Sequence, residues 1–264
     1  MLKKLKQFFN KTIYKNSLNI NFVKLSRSSW LCKNLSGGYF KPFASPEAKQ
    51  IKRIIKETGK KGRLRLYEGY KNYKIEGMNY ENATRNVFEV STEEKVGDFF
   101  YWLVLNKRPS IIVEIGTAFG VSGMYLLSGL KKIKKGQLFT FEVNKEWANI
   151  AIKNLESIGS QFSLTIGKFE ENFDNIFLPK DNIDIAFIDG VHVGEVVHKQ
   201  IAILRQNMHD ESLIILDDIN FSSEMKSYWK GLAIDSKVKA SVEIGGRIGI
   251  IELRQSKDDL SKKK

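Results

Sequence analysis

The feature that most constrains the fold is a glycine-rich corner at residues 113–123, where a short apolar run gives way to a helical pattern. It reads Val-Glu-Ile-Gly-Thr-Ala-Phe-Gly-Val-Ser-Gly, so that three residues separate Gly116 from Gly120. Glycine lets backbone approach a ligand closely, and the first turn of the new helix offers unpaired N–H groups. The corner is therefore predicted to bind a nucleotide-like ligand; the alternative is a strand–turn–helix whose glycines serve packing alone.

Strand and helix patterns alternate from Pro109 onwards. Apolar strand patterns cover 110–115, 137–142, 162–167, 183–189 and 212–217, and helical patterns cover 121–131, 145–158, 192–206 and 222–232. Continuously apolar strands separated by helices indicate a parallel sheet covered on both faces. The last two strands, on either side of Gly245 and Gly246, predict an antiparallel hairpin. The predicted fold class is therefore α/β.

Positive charge is concentrated near the N-terminus. The net charge is +13, but residues 1–65 carry 17 Lys and Arg against two acidic residues, whereas residues 66–264 are close to neutral. We therefore divide the chain into a basic N-terminal segment (1–65), a helical and aromatic lid or connector (66–108), the α/β core (109–254) and a charged, disordered tail (255–264).

Cysteine content and hydropathy bear on the compartment. The single cysteine, Cys32, excludes an internal disulfide and suits a reducing environment. No apolar run is long enough to span a membrane, and we expect a cytoplasmic protein. Residues 1–15 place apolar residues on one helical stripe among lysines, which indicates either contact with a membrane surface or a Lys-rich leader.

Ligands of open α/β sheets bind beyond the carboxyl ends of the strands, so the residues there are the candidate site. Glu114 and the glycines end the first strand, and Glu142 ends the second, where a carboxylate can accept both hydroxyls of a ribose. Phe169 follows the third strand. Asp189 ends the fourth strand, and Asp217 and Asp218 end the fifth.

The spacing of the glycine corner, together with these strand ends, resembles motif I and the core of class I S-adenosylmethionine (SAM)-dependent methyltransferases. The resemblance covers about residues 91–254 and implies a seven-stranded, Rossmann-like methyltransferase sheet. It also implies SAM as the cofactor. The residues it would assign to cofactor binding are Glu114, Gly116, Gly120, Ser122, Glu142, Phe169 and Asp189.

Asp189, Asp217 and Asp218 are expected to meet at one sheet edge, where three carboxylates repel unless a cation joins them. No Lys or Arg lies within these motifs, and Mg²⁺ prefers oxygen ligands. The arrangement resembles the metal site of catechol-type and bacterial sugar O-methyltransferases. Asp218 and His192 stand where the catechol type has Asn and Lys, which favours the sugar type. The alternative is that these aspartates contact SAM or cap helices without a metal.

His192 is the candidate general base, since a neutral imidazole can take a proton near neutral pH. Asp189 competes for this role, and His192 could instead only cap the following helix. The resemblance, on these residues, implies an O-methyltransferase that modifies a hydroxyl of a small polyhydroxylated molecule or glycan, with metal assistance. An RNA methyltransferase using the basic segment, or a non-catalytic nucleotide-binding protein, is the alternative. No RNA-binding motif is recognisable, so nucleic acid is not the expected partner; a homo-oligomer is left open.

Overall fold

A computed structural model describes residues 17–35, 38–41, 43–73, 80 and 82–254. Its centre is a nine-stranded sheet with the order β2-β1-β10-β11-β9-β8-β5-β6-β7. These strands are β1 (Leu18–Lys24), β2 (Tyr39–Phe40), β5 (Ile111–Ile115), β6 (Gln137–Glu142), β7 (Phe162–Ile166), β8 (Ile183–Ile188), β9 (Met208–Leu216), β10 (Val238–Ile244) and β11 (Ile248–Leu253). A separate pair is formed by β3 (Leu64–Arg65) and β4 (Thr84–Arg85).

Helices cover the sheet on both faces. They are α1 (Trp30–Asn34), α2 (Ala48–Gly59), α3 (Glu94–Lys107), α4 (Val121–Ile133), α5 (Lys145–Glu156), α6 (Phe169–Ile176), α7 (Gly194–Leu204) and α8 (Ser223–Ile234). Neighbouring strand residues point to opposite faces, so that Ile112 packs in one apolar cluster and Val113 in the other. Both faces are thus buried, as the continuously apolar strands predict.

The parallel core and its terminal hairpin are confirmed. β5 pairs in parallel with both β6 and β8, and β8 pairs in parallel with β9. β11 pairs antiparallel with β9 and with β10. Gly245 and Gly246, both at positive φ, form the turn between the last two strands.

The sheet has nine strands and not seven, because the N-terminal segment contributes to it. β1 pairs antiparallel with β10, and β2 pairs with β1. Leu18 and Ile20 are buried while Asn19 and Asn21 are exposed, an alternation typical of a strand with one covered face. The part of this basic segment that contains β1 and β2 therefore extends the core sheet.

Two other elements differ from expectation. α6 follows β7 at a place where the sequence pattern predicts no helix, and its apolar face, which includes Phe173, packs on the sheet. β9 begins at Met208, four residues earlier than its apolar run, because Met208 pairs with Ile183 of β8. The register then shifts across the polar residues 209–212, and pairing resumes between Leu213 and Ile185.

Residues 1–16 and 255–264 lie outside the described residues, as do the predicted surface helix and charged tail. In the part of the chain that the structure describes, no helix is both long and apolar enough to cross a membrane.

Candidate active site

The carboxyl ends of β5, β6, β8 and β9 open into a cavity of about 320 Å³, which we call the large cavity. Beside it, at the ends of β5 and β6 and the start of α6, lies a small cavity of about 50 Å³. Gly116, Glu142 and Gly190 line both cavities. The sheet edge therefore offers one continuous cleft with two compartments, at the place expected for an open α/β sheet.

Gly116 brings the ends of β5 and β8 into contact. Its φ is +96°, and a Cβ built on it would lie 2.2 Å from the backbone oxygen of Asp189. Asp189 in turn donates its N–H to the carbonyl of Ile115 at 2.8 Å. Only glycine fits this position, because any side chain would overlap backbone that cannot move aside.

Glu142 is fixed at the end of β6 with its carboxylate at the cleft. Oε2 accepts the N–H of Ala118 at 2.7 Å, and Oε1 accepts the N–H of Asn144 at 2.7 Å. The side chain is nearly buried, and burial raises the pKa of Glu142 to about 7 despite these hydrogen bonds. A buried carboxylate that lines both compartments is placed to accept hydroxyl donors from a ligand that spans them.

Glu114 and Ser122, two of the residues predicted to bind the cofactor, do not line either cavity. The Glu114 carboxylate is fully buried beneath the glycine corner, where it accepts the hydroxyls of Ser122 and Thr140, each at 2.6 Å. Burial raises the pKa of Glu114 to about 7. These residues hold β5, β6 and the start of α4 together and so support the corner from below.

Gly120 also lies outside the lining. It caps α4 with a φ of +82°, so its role is to start that helix after the tight turn. Phe169, another of the residues predicted to bind the cofactor, lines the small cavity, with Gly167 and Lys168 beside it. The structure thus brings together four of the residues predicted for the cofactor: Gly116, Glu142, Phe169 and Asp189.

Aromatic residues from the segment between α2 and α3 form the opposite wall of the cleft. Tyr70 lines both cavities, with Tyr80 in the large one and Tyr67 in the small one. The ring of Tyr70 lies 5.7 Å from Tyr67 and 5.9 Å from Tyr80, between ring centroids. Burial, and the charges of Glu142 and Asp189, raise the pKa of Tyr70. The described tyrosines of this segment therefore form one wall of the cleft.

The three aspartates do converge, but an arginine lies among them. Arg247, from the turn between β10 and β11, donates from Nε to Asp217 Oδ1 and from Nη2 to Asp217 Oδ2, both at 2.7 Å. Its Nε also lies 2.8 Å from Asp218 Oδ1. In the described residues no group of acidic, His or Cys side chains has the arrangement of a metal site. The expected Mg²⁺ site therefore does not fit, because the cation that these carboxylates require is already supplied by the protein.

His192 lies between two of these acids and faces the large cavity. Its Nε2 is 3.7 Å from both Asp189 Oδ1 and Asp218 Oδ2, and its ring packs on Phe221 at 4.9 Å. Burial lowers the pKa of His192, so the imidazole is neutral at neutral pH. Burial, and the charges of Asp217 and Asp218, raise the pKa of Asp189 well above its ordinary value. The two candidate bases, His192 and Asp189, thus both line the large cavity. α7 begins two residues after His192.

Residues 113–219 match a family model described as a methyltransferase domain. An O-methyltransferase of Mycobacterium sp. (strain JLS) is 37% identical over 82 residues, which are 30% of this chain and 36% of that protein. The match thus spans about a third of that curated relative's length. The O-methyltransferase TomG from Streptomyces achromogenes, involved in tomaymycin synthesis and solved with SAM, is 13% identical with a TM-score of 0.57. That comparison covers 86% of this chain and 95% of TomG.

A second solved structure shows the same fold. The O-methyltransferase from Bacillus cereus, in complex with S-adenosylhomocysteine (SAH), is 16% identical and covers 84% of this chain and 95% of its own, with a TM-score of 0.55. The matched domain and the shared fold agree with two features of this chain. One is the glycine corner that leads into α4, and the other is the parallel sheet closed by an antiparallel hairpin. Residues 113–219 therefore form a methyltransferase domain, and the chain has the fold of these SAM-dependent O-methyltransferases.

Proposed function

We propose that this protein transfers the methyl group of SAM to a hydroxyl of a small polyhydroxylated molecule or glycan. The observation that carries the proposal is the Glu142 carboxylate, which is held by two backbone N–H groups at the junction of the two cavities. The small cavity, with Phe169 and the tyrosine wall, suits the adenine, and Glu142 suits the ribose hydroxyls. The corner at Gly116 leaves room for the rest of the cofactor.

The large cavity supports the acceptor part of the proposal. Its tyrosines offer flat apolar surface, while His192, Asp218 and Arg247 offer hydrogen-bonding groups to hydroxyls. Aromatic faces combined with a few placed polar groups are typical of pockets for small ligands. The same cavity reaches Glu142 and Gly116, so that an acceptor bound there would lie beside the cofactor.

The chain's own residues would position the acceptor and take its proton. Bound SAM supplies an electrophilic methyl group on a positively charged sulfur. As the acceptor oxygen forms its bond to that methyl group, the carbon–sulfur bond breaks and SAH leaves. The hydroxyl proton passes to His192, whose neutral imidazole is a base of suitable strength, with Asp189 as the competing base. Alignment of the oxygen with the methyl group supplies much of the rate.

Calorimetry with SAM, SAH and NAD tests the cofactor, and transfer of a labelled methyl group from SAM to a panel of sugars and phenols tests the acceptor. We expect SAM and SAH to bind and NAD not to bind, and label to appear on polyhydroxylated sugars. Preferential binding of NAD would refute the cofactor assignment. Label found only on phenols, or only on added RNA, would refute the acceptor class.

A further inference from the structure

The acidic cluster at the ends of β8 and β9 contains a fixed positive charge. Arg247 makes a two-bond pair with Asp217, whose side chain is 5% exposed, and its Nε also contacts Asp218. Guanidinium stays protonated at any pH at which the protein is folded. One permanent cation therefore serves the two neighbouring carboxylates.

The backbone of Arg247 is held in this place. Its carbonyl accepts the N–H of Ile219 at 3.0 Å, and Asn220 Nδ2 donates to the carbonyl of Gly246 at 2.7 Å. β11, which starts at the next residue, pairs with β9, the strand that leads into the acidic pair. The arginine and the two aspartates therefore belong to one hydrogen-bonded unit.

A divalent ion and Arg247 would compete for the same oxygens. Mg²⁺ binds carboxylate oxygens at about 2.0–2.1 Å. Both oxygens of Asp217 already accept from Arg247, and Oδ1 also accepts the N–H of Asp218 at 2.8 Å. An ion on these oxygens would lie in contact with the guanidinium, and the two positive charges would repel.

Arg247 also faces the large cavity. Its side chain is 40% exposed, and its hydrogen bonds to Asp217 use only Nε and Nη2. A guanidinium held on one edge by a carboxylate keeps donors on its other edge, in a planar fork that suits oxygen atoms. These donors lie in the cavity to which the acceptor is assigned.

We propose that Arg247 takes the place of a divalent cation in this cluster: it neutralises Asp217 and Asp218 and binds the acceptor oxygen, so that methyl transfer needs no metal ion. The role at the acceptor rests on the proposed function. The replacement of the ion does not, because ion binding can be measured without a substrate.

Mn²⁺ binding, followed by the electron paramagnetic resonance signal of the free ion, tests the proposal. The proteins to compare are the wild type, Arg247→Met, Arg247→Met with Asp217→Asn, and Arg254→Met. Arg254 is an exposed arginine at the other end of β11 and gives the matched control. We expect Arg247→Met to gain one Mn²⁺ site, at least about tenfold tighter than any in the wild type, because the repelling charge is gone. Adding Asp217→Asn should remove that site, and Arg254→Met should behave as the wild type.

Wild-type protein that binds one Mn²⁺, and loses it in Asp217→Asn, would overturn the proposal. So would a folded Arg247→Met variant that gains no site, with folding checked by its melting temperature. If that variant does not fold, the comparison of wild type with Asp217→Asn still decides the question. SAH calorimetry on the same samples tests the proposed function separately, so a failure there leaves the Mn²⁺ result intact.

Discussion

At the scale of single residues, Glu142 gives the sharpest test of cofactor binding. We expect Glu142→Gln to weaken SAH binding by about 10- to 100-fold, because hydrogen bonds to a charged acceptor contribute about 1.5–3 kcal/mol. The ionised carboxylate is the better acceptor and its pKa is about 7, so wild-type affinity should fall as the pH drops through 7. That dependence should be much weaker in the variant. Calorimetry over a range of about one pH unit on either side of that pKa measures both effects.

The matched control is Glu146→Gln, an exposed glutamate in the first turn of α5. It removes a charge four residues away without touching the cleft, and we expect wild-type affinity. Equal losses in the two variants would mean that general charge, and not the carboxylate at the cleft, governs binding.

His192 can be separated from Asp189 by the pH dependence of kcat. We expect His192→Asn to keep SAH affinity but to lower kcat by about 10²–10⁴-fold. The imidazole acts as a base only when neutral, and burial lowers its pKa below 6.5. Wild-type activity should therefore hold above that value and fall as the pH drops through the lowered pKa.

His198→Asn, on the exposed face of α7, should leave both kcat and the pH profile unchanged. If His192→Asn retained the acid limb and most of the activity, the base would be Asp189. The acceptor needed for these assays comes from the methyl-transfer screen.

The acidic residues at the strand ends could be predicted from the sequence, but the side chains that pair with them could not. Glu142 and Asp189 follow directly from apolar strands that stop in an acid. Arg247 does not, because it is 30 residues from Asp217 in the chain, and only the pairing of β11 with β9 brings it there. Likewise, nothing in the sequence distinguishes Glu114, which is buried under the corner, from Glu142, which faces the cleft.

At the scale of elements, the glycine corner should tolerate no side chain at Gly116. Gly116→Ala places a Cβ against the Asp189 carbonyl at a positive φ, so we expect a loss of about 2–4 kcal/mol in the free energy of unfolding. Gly231→Ala, within α8, meets no atom within 4 Å and should be neutral or stabilising by up to about 1 kcal/mol. Urea denaturation compares them, and a tolerated Gly116→Ala would contradict the close approach of β5 and β8.

Helices and strands with one clear hydrophobic period could be predicted from the sequence. Strands whose place depends on pairing with a distant part of the chain could not. The helical period of α4 and the apolar runs of β5 and β8 fix both type and place within a few residues. β1 carries an alternating pattern that could have been recognised, but its partner β10 is more than 200 residues away. The aromatic segment has no clear period, since its tyrosines are placed by the cleft they line and not by a regular element.

At the scale of the whole molecule, the N-terminal segment is fastened to the sheet through Glu252. This fully buried carboxylate accepts the backbone N–H groups of Trp30 and Leu31, each at 2.9 Å. In Glu252→Gln, an amide NH₂ would face one of these donors, so we expect the free energy of unfolding to fall by about 2 kcal/mol. Proteolysis near α1 should become faster in native conditions.

Glu211→Gln is the control, because Glu211 contacts the same Lys239 as Glu252 but accepts no backbone bond from α1. Its change in stability should stay within about 0.5 kcal/mol. A similar loss in both variants would assign the effect to Lys239 and not to the attachment of the N-terminal segment.

The pairing of β1 with β10 also has a consequence for biosynthesis. Ile20 of β1 pairs with Ile244 of β10, so the two strands are 224 positions apart in the chain (244 − 20). At a translation rate of about 5–20 residues per second, β1 is synthesised roughly 10 to 45 s before its partner strand. During that interval its apolar face and one backbone edge lack their final cover. Completion of the sheet therefore waits for the hairpin of β10 and β11, and until that hairpin is made the nascent chain presents a natural substrate for chaperones.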